Sequence, residues 1–364
     1  MEIRDIRTIE VALPIQGKNR PYGINLIEAT TDEGIVGIGE SRAQGIPFGV
    51  ISALVDKNLK PLLLGCSPFD VEALYETMYR FNQNVGQRGI LIMAISGVEL
   101  ALWDIIGKAT KQPVYNLVGG CVHRDIEAYA SLGGYPTPAE AVKGAKHYID
   151  MGFKAIKYHQ GEIESSKMLR KEVGDGTKIM LDVSGLWTPD EAIRKARELA
   201  DINMTWLESA IYPQDDVEGF AKLTTAVGER VPICAGENEY TVWGFKDIIE
   251  KRAVNIINHD TIKCGGLWQA KKIAAMAEVQ RILCAPHSAC SPVGLETALH
   301  LTTSTTNCAY AEIIHSTLYA MEGLSESILE RPLELKNGFV RASDKPGFGI
   351  ELNEKVIEKY KVNK

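Results

Sequence analysis

The sequence predicts an α/β protein built on a (β/α) barrel with a smaller α+β domain ahead of it, and two observations carry that reading. From Lys157 onward, short apolar runs each end on an ionisable residue: Lys157 and His159 in FKAIKYH, Asp182 in IMLDVSGLW, Glu208 in WLES, Glu237 in ICAGEN, Asp260 in VNIINHD, His287 in ILCAPH and Glu312 in AYAEI. Successive members lie 23 to 29 residues apart, close to the roughly 30 residues that an eight-stranded barrel spends on each strand and helix. The second observation is that residues 1–124 lack this rhythm. The expected organisation is a capping domain over 1–124, a barrel over 125–328, and a segment over 329–364 that returns to the cap.

Ile9, Val11 and Leu13 alternate as in a strand, and Tyr22–Thr30 and Gly34–Gly39 flank a turn at Thr31-Asp32-Glu33-Gly34. A helix from Pro68, with Ser67 as N-cap, places Val71, Leu74, Tyr75, Met78 and Tyr79 on one face. The next helix repeats that period with Ile95, Val98, Leu102, Ile105 and Ile106. Between the first two strands, PIQGKNRPYG carries Lys18, Arg20 and Tyr22. These are either solvated loop residues or a lid whose donors grip a polyhydroxy or anionic substrate at the barrel mouth. In the barrel, Thr137-Pro138-Ala139-Glu140 and Thr188-Pro189-Asp190-Glu191 read as capping boxes with Pro at the first helical position. Near the end, LELKNGFV reads as a hairpin turning at Asn337-Gly338.

The composition is 45% hydrophobic and 24% charged with a net charge of −7, and no basic stripe argues for nucleic acid as a partner. MEIRDIRTIE is charged from its start, unlike a signal peptide, and no run of about 18 apolar residues suggests a membrane span. The seven cysteines show no paired CxxC spacing and read as reduced core thiols of a cytoplasmic protein.

A polar residue at the end of strand after strand marks the catalytic face of a barrel. Carboxylates there must be paired or neutralised, because an isolated buried charge is very costly. Asp182, Glu208 and Glu237 end three adjacent strands and form an all-oxygen set suited to Mg2+, whereas Zn2+ would favour Cys or His among the donors. Such an ion would stabilise charge developing on a carboxylate oxygen when the neighbouring C–H is deprotonated. Lys157 and His159 share parity on the second barrel strand, so both can point inward. Asp260 and His287 end adjacent strands, so the carboxylate can orient the imidazole.

These segments, with AISGVELALWDIIGKATKQPVYNLVGG (Ala94–Gly120), GFKAIKYHQG, AGEN, HDTIKCGG and APHS, resemble the mandelate racemase subgroup of the enolase superfamily over nearly the whole chain. The resemblance implies a capping α+β domain made from both termini and a modified (β/α)7β barrel. It implies Mg2+ on Asp182, Glu208 and Glu237, and an enolate intermediate. A Lys or His base with Mg2+ holding an enediolate is that superfamily's established pattern. It further implies the Asp260–His287 pair as base on one face, Lys157 and His159 on the other, and Glu312 as donor to the substrate carboxylate. Three positions depart from the pattern: Lys157-Tyr158-His159 replaces Lys-x-Lys, Asp182-Val183-Ser184 replaces Asp-x-Asn, and Ser209 stands where a second Glu is common. Beside Lys157 and Mg2+, His159 should have a depressed pKa and be neutral near pH 7, free to act as acid or base or merely to position a hydroxyl.

The expected activity is Mg2+-dependent dehydration of an acid sugar, an aldonate or aldarate, to a 2-keto-3-deoxy acid. The alternative is a racemase or epimerase working through the same enolate. A non-enzymatic binding protein would require a broken constellation, and every position is filled. A homo-oligomer acting on a small carboxylate substrate is expected.

Overall fold

The computed structural model describes residues 1–14, 21–159, 163–314 and 327–362. Lys18 and Arg20 lie outside the described residues. The N-terminal region opens with an antiparallel meander of β1 (Ile3–Leu13), β2 (Tyr22–Thr31) and β3 (Val36–Ser41). Helices Val71–Phe81 and Ile90–Thr110 follow. The first of them begins later than the sequence suggests: Asp70 occupies the N-cap, and the Ser67 hydroxyl instead accepts the Phe69 N–H at 3.3 Å.

Helix Ile90–Thr110 lies directly on β3, and glycine makes that possible. A Cβ on Gly39 would stand 2.1 Å from the Gly97 carbonyl oxygen, and one on Gly97 would meet the Ile27 side chain at 2.6 Å. This helix corrects the expectation that no segment could span a membrane. It has the necessary length and apolar composition, but most of it is buried inside the protein. Its apolarity serves a core shared by the sheet, the other cap helices and the barrel.

Eight parallel strands follow: β4 (Ile126–Leu132), β5 (Ala155–His159), β6 (Lys178–Asp182), β7 (Trp206–Glu208), β8 (Ile233–Ala235), β9 (Ile256–Ile257), β10 (Leu283–Cys284) and β11 (Ala311–Ile314). They pair in the order β10-β9-β8-β7-β6-β5-β4-β11. The ring closes where Cys284 N–H reaches the Asn307 carbonyl and Ala309 N–H reaches the Cys284 carbonyl, each at 2.8 Å. Seven helices connect them: Pro138–Asp150, Glu164–Val173, Pro189–Leu199, Val217–Val227, Thr241–Glu250, Leu267–Val279 and Pro292–Thr303. The architecture is therefore the modified (β/α)7β barrel. Thr188 and Glu191 form the full capping box, whereas the Glu140 carboxylate takes the Thr137 hydroxyl at 3.0 Å and leaves that box half made.

Strand parity divides the barrel residues. Ile156, Tyr158, Ile179, Leu181, Leu207, Ile233 and Ile257 face the helices, while Tyr129, Ala155, Met180, Trp206, Cys234, Ile256 and Ala285 fill the interior. The filled interior forms a floor, and the inward residues two steps further along each strand emerge at the mouth. Past the barrel, Asn337 and Gly338 turn with φ of 55° and 83°. The expected turn is there, but its strand β12 (Phe339–Val340) also pairs antiparallel with β4. The chain then runs back to the cap, where helix Glu354–Tyr360 packs on β1 and Val362 N–H bonds the Glu10 carbonyl at 2.8 Å. Five cysteines are buried, Cys66 is partly so, and Cys121 is exposed, so the reading of all seven as core thiols fails at the last.

Candidate active site

Parallel register brings His159, Asp182 and Glu208 into one row at the ends of β5, β6 and β7. β6 and β7 stop there because the residues that follow turn: Ser184 and Ser209 both take positive φ, 51° and 47°. Lys157 sits one inward step below the row and is fully buried. Its ammonium lies 2.8 Å from Glu208 Oε1 and 2.8 Å from Glu312 Oε1, on the strands to either side of its own neighbours. Across the mouth, His287 Nδ1 lies 2.7 Å from Asp260 Oδ2 and its Nε2 lies 2.7 Å from Glu237 Oε2. Eight predicted residues thus converge: Lys157, His159, Asp182, Glu208, Glu237, Asp260, His287 and Glu312. Tyr22 is buried at the start of β2, and its hydroxyl is pushed well above its ordinary pKa by burial.

Each acid also has a neutral donor that orients it. Asp182 Oδ1 accepts the Ser184 N–H at 2.7 Å, Glu208 Oε2 accepts the Trp206 indole N–H at 2.7 Å, and Asp260 Oδ1 accepts the Ile262 N–H at 3.0 Å. Glu312 Oε2 accepts the Ser288 N–H at 2.9 Å.

The crowding of charge shifts the mouth's titrations. Burial, only partly offset by Lys157, pushes Glu208 up to about 7. Burial opposes charge on Glu237 too, but His287 and Lys263 outweigh it and hold that carboxyl well below its ordinary value. The same contest raises His287 to about 9, burial losing to Glu237 and Glu312. Burial likewise loses at Lys157, which Glu208 and Glu312 raise well above the usual lysine value.

The depression expected of His159 concerned the Mg2+-loaded site; here burial and Lys157 push its pKa down, while Asp182 Oδ2, 3.0 Å from its Nε2, prevails and raises it. Its Nδ1–H donates to the Leu132 carbonyl at 2.6 Å, so both ring nitrogens are engaged. At Glu312, burial opposes the charge, but Lys157 and His287 hold the carboxyl well below its ordinary value.

The sequence reading overlooked Asn258, Lys263 and Asn238. Asn258 Nδ2 donates to Glu208 Oε1 at 3.0 Å; its inward parity with Asp260 was the available signal. Lys263 is buried one turn past Asp260 and donates to Asn238 Oδ1 at 3.0 Å, while Asn238 Nδ2 donates to Glu237 Oε1 at 3.1 Å. Beside this loop a cavity of about 270 Å³, lined by Arg88, Ser209, Gln214, Asn238, Glu239 and Tyr240, opens between cap and barrel.

Among the described residues, no three His, Cys, Asp or Glu side chains converge tightly enough to hold an ion as they stand. Asp182, Glu208 and Glu237 are each turned onto a cationic or imidazole partner: His159, Lys157 and His287 respectively. The donor chemistry nevertheless fits a hard divalent cation. Five buried or nearly buried carboxylates share the mouth with two buried lysines, and the trio offers only oxygen. Burial keeps the Glu208 carboxyl raised to about 7 even with Lys157 beside it.

A capped (β/α)7β barrel whose strand ends carry three acids, a Lys/His strand and an Asp–His pair defines a recognisable class. Residues 11–119 match the family model described as the mandelate racemase / muconate lactonizing enzyme N-terminal domain, and residues 140–356 match the enolase C-terminal domain-like model. The chain belongs to the mandelate racemase / muconate lactonizing enzyme family of the enolase superfamily. It is 35% identical to an arabinonate dehydratase from Saccharolobus solfataricus, covering 99% of each chain. It is 30% identical to a D-xylonate dehydratase from Haloferax volcanii, covering 99% of this chain and 90% of that one. A solved racemase from Streptomyces coelicolor A3(2) with bound magnesium superposes with a TM-score of 0.89 at 26% identity, over 99% of this chain and 100% of that one.

Proposed function

We propose that this protein dehydrates an acid sugar, an aldonate in the first instance, with Mg2+ held by Asp182, Glu208 and Glu237. The carrying observation is His287 clasped through Nδ1 by Asp260 at 2.7 Å, with Nε2 directed at the Glu237 carboxylate in the same mouth. When bound, Mg2+ supplies Lewis-acid stabilisation of negative charge on the substrate carboxylate. Asp260 fixes the proton on Nδ1, so Nε2 is the nitrogen that exchanges a proton with the mouth, and it would be basic once Glu237 is engaged by Mg2+ in place of the imidazole. His287 then takes the proton α to the carboxylate, and the Lys157 ammonium, pointing up from the floor, steadies the resulting enediolate. The proton on His287 is available to the departing β-hydroxyl, so the pair leaves as water. The enol that remains tautomerises to a 2-keto-3-deoxy acid.

Epimerisation would use the same first step and then deliver a proton to the opposite face. His159 is the group on that side, and its two nitrogens are fixed by Leu132 and Asp182. That immobility, together with the two dehydratase relatives, favours elimination. The reason does not depend on the charge state of His159.

A screen of aldonates and aldarates in D2O with Mg2+ tests the proposal. Dehydration yields a 2-keto-3-deoxy product with deuterium at C3. If the C2 epimer is recovered with solvent deuterium, and His159→Ala abolishes it while exchange persists, the protein is an epimerase. If no acid turns over or exchanges, the proposal fails.

A further inference from the structure

Among the described residues, the seven helices of the barrel differ in how their N-termini are satisfied. Four are capped locally: Thr137, Thr188, Asp216 and Ser291 each accept an N–H of the helix they precede. Helix Leu267–Val279 cannot do this, because its N-cap is Gly266, which has no side chain. Glu99, in the middle of cap helix Ile90–Thr110, supplies the missing oxygens. Its Oε2 accepts the Leu267 N–H at 2.8 Å and its Oε1 accepts the Trp268 N–H at 2.9 Å. One turn earlier, the Ser96 hydroxyl accepts the Gly265 N–H at 2.9 Å. The contact is close enough that a Cβ on Gly266, at φ 93°, would stand 2.0 Å from Glu99 Oε2.

Helix Pro292–Thr303 is held in a related way from β3. Glu40 Oε1 accepts the Ser291 N–H at 3.1 Å, and its Oε2 accepts the Ser291 hydroxyl at 2.5 Å and the Gly294 N–H at 2.8 Å. Both acids are almost fully buried, 2% exposed for Glu40 and 0% for Glu99, and among the described residues no lysine or arginine lies within ion-pair range of either. Their partners are helix-end N–H groups and one hydroxyl, plus the Trp103 indole at Glu99. The two anchors are themselves joined: the Ser41 hydroxyl donates to the Met93 carbonyl at 2.8 Å, tying β3 to the cap helix.

The two helices fastened from the cap are those that follow Asp260 and His287. Asp260 precedes the Gly265–Trp268 anchor by a single tight loop, closed by the Lys263 and Cys264 N–H groups on the Asp260 carbonyl at 3.0 and 2.8 Å. His287 lies four residues before Ser291. The Thr261 and Thr297 hydroxyls, 2.8 Å apart, join the two anchored segments to each other.

We propose that Glu40 and Glu99 are positioning residues, through which the cap domain sets the distance between Asp260 and His287 by clamping the first turn of the helix behind each. Neither touches substrate or the reacting atoms. The inference rests on the reading of His287 as the base, and its test separates the two. Glu40→Gln and Glu99→Gln preserve shape but turn one acceptor of each carboxylate into a donor facing an N–H. Both variants should bind Mg2+ as wild type does, with KM nearly unchanged. Their kcat for α-proton exchange should fall roughly 10- to 100-fold, the range found when a group orienting a functional ligand is removed. In protein labelled with 15N-histidine, the Nδ1 proton shared by His287 and Asp260, assigned by its loss in His287→Asn, should move upfield in both variants. An unmoved proton with unchanged kcat overturns the proposal, as does a parallel decline of Mg2+ affinity, KM and thermal stability, which would mark a merely structural contact. If wild type exchanges no substrate proton at all, the functional reading falls, and the histidine proton still decides the positioning question.

Discussion

Two sets of buried carboxylates can be compared within this one chain. In the cap, Glu40, Glu99 and Asp104 are satisfied mainly by backbone N–H groups: Asp104 joins Ile38 N–H at 2.8 Å to Phe348 N–H at 2.9 Å, with Lys108 at 2.7 Å. At the mouth, Asp182, Glu208, Glu237, Asp260 and Glu312 instead crowd around a few cations and imidazoles. Fixed N–H dipoles disperse a carboxylate's charge without a mobile partner, which suits a joint. Acids crowded onto one another keep a surplus of charge that a further cation or proton must balance, which suits chemistry. Burial alone does not distinguish function from architecture; the identity of the partner does.

The sharpest way to break that distinction is to empty the mouth. Asp182→Ala, Glu208→Ala and Glu237→Ala should each abolish Mg2+ binding by calorimetry and turnover together. A variant that kept ligand affinity while losing the metal would mark a binding protein rather than an enzyme. Asp260→Asn comes next, with kcat expected to fall by up to about 10⁴-fold, the loss met when an imidazole loses the carboxylate that sets its tautomer. Lys157→Met tests compensation directly: with Glu208 and Glu312 left unpaired, metal-free protein should lose about 3–5 kcal/mol in denaturant unfolding. On the architectural side, Gly39→Ala should cost about 1–3 kcal/mol through overpacking against the Gly97 carbonyl, with Mg2+ affinity intact. The smallest effect belongs at the surface. Arg124 and then Tyr115 hold Asp344 at about 2, so its contribution is complete above the ordinary carboxylate pKa and is lost as pH falls through about 2. Asp344 is 55% exposed, so Asp344→Asn should shift neutral-pH stability by no more than about 1 kcal/mol.

The barrel and its mouth were legible because strand parity and a regular spacing are properties of the sequence itself. Lys157, Asp182, Glu208, Asp260, His287 and Glu312 each sit at or one step from the end of an apolar run. Partner identity is not such a property. The pKa of His159 depended on whether Asp182 or Lys157 lay closer, and that is settled by side-chain geometry across two strands. The segment from Ala94 to Gly120 was one of those that carried the family resemblance, yet its residues Gly97, Glu99 and Asp104 serve the joint between domains, a role visible only once the sheet, the barrel helices and the tail meet around it. The length and apolarity of Ile90–Thr110 were overlooked as well: an apolar helix in a three-way core has the composition of a membrane span.

The return of the tail to β1 has a consequence for the speed of assembly. Strands β4 to β11 follow one another in the chain, whereas β1 packs against Glu354–Tyr360, on the far side of the whole barrel in sequence. The closing loop spans almost the whole polypeptide, although its entropic cost grows only logarithmically with length. The packing of Glu354–Tyr360 on β1 is therefore a contact of high sequence separation, of the kind that forms slowly because a long loop must be closed before it is made.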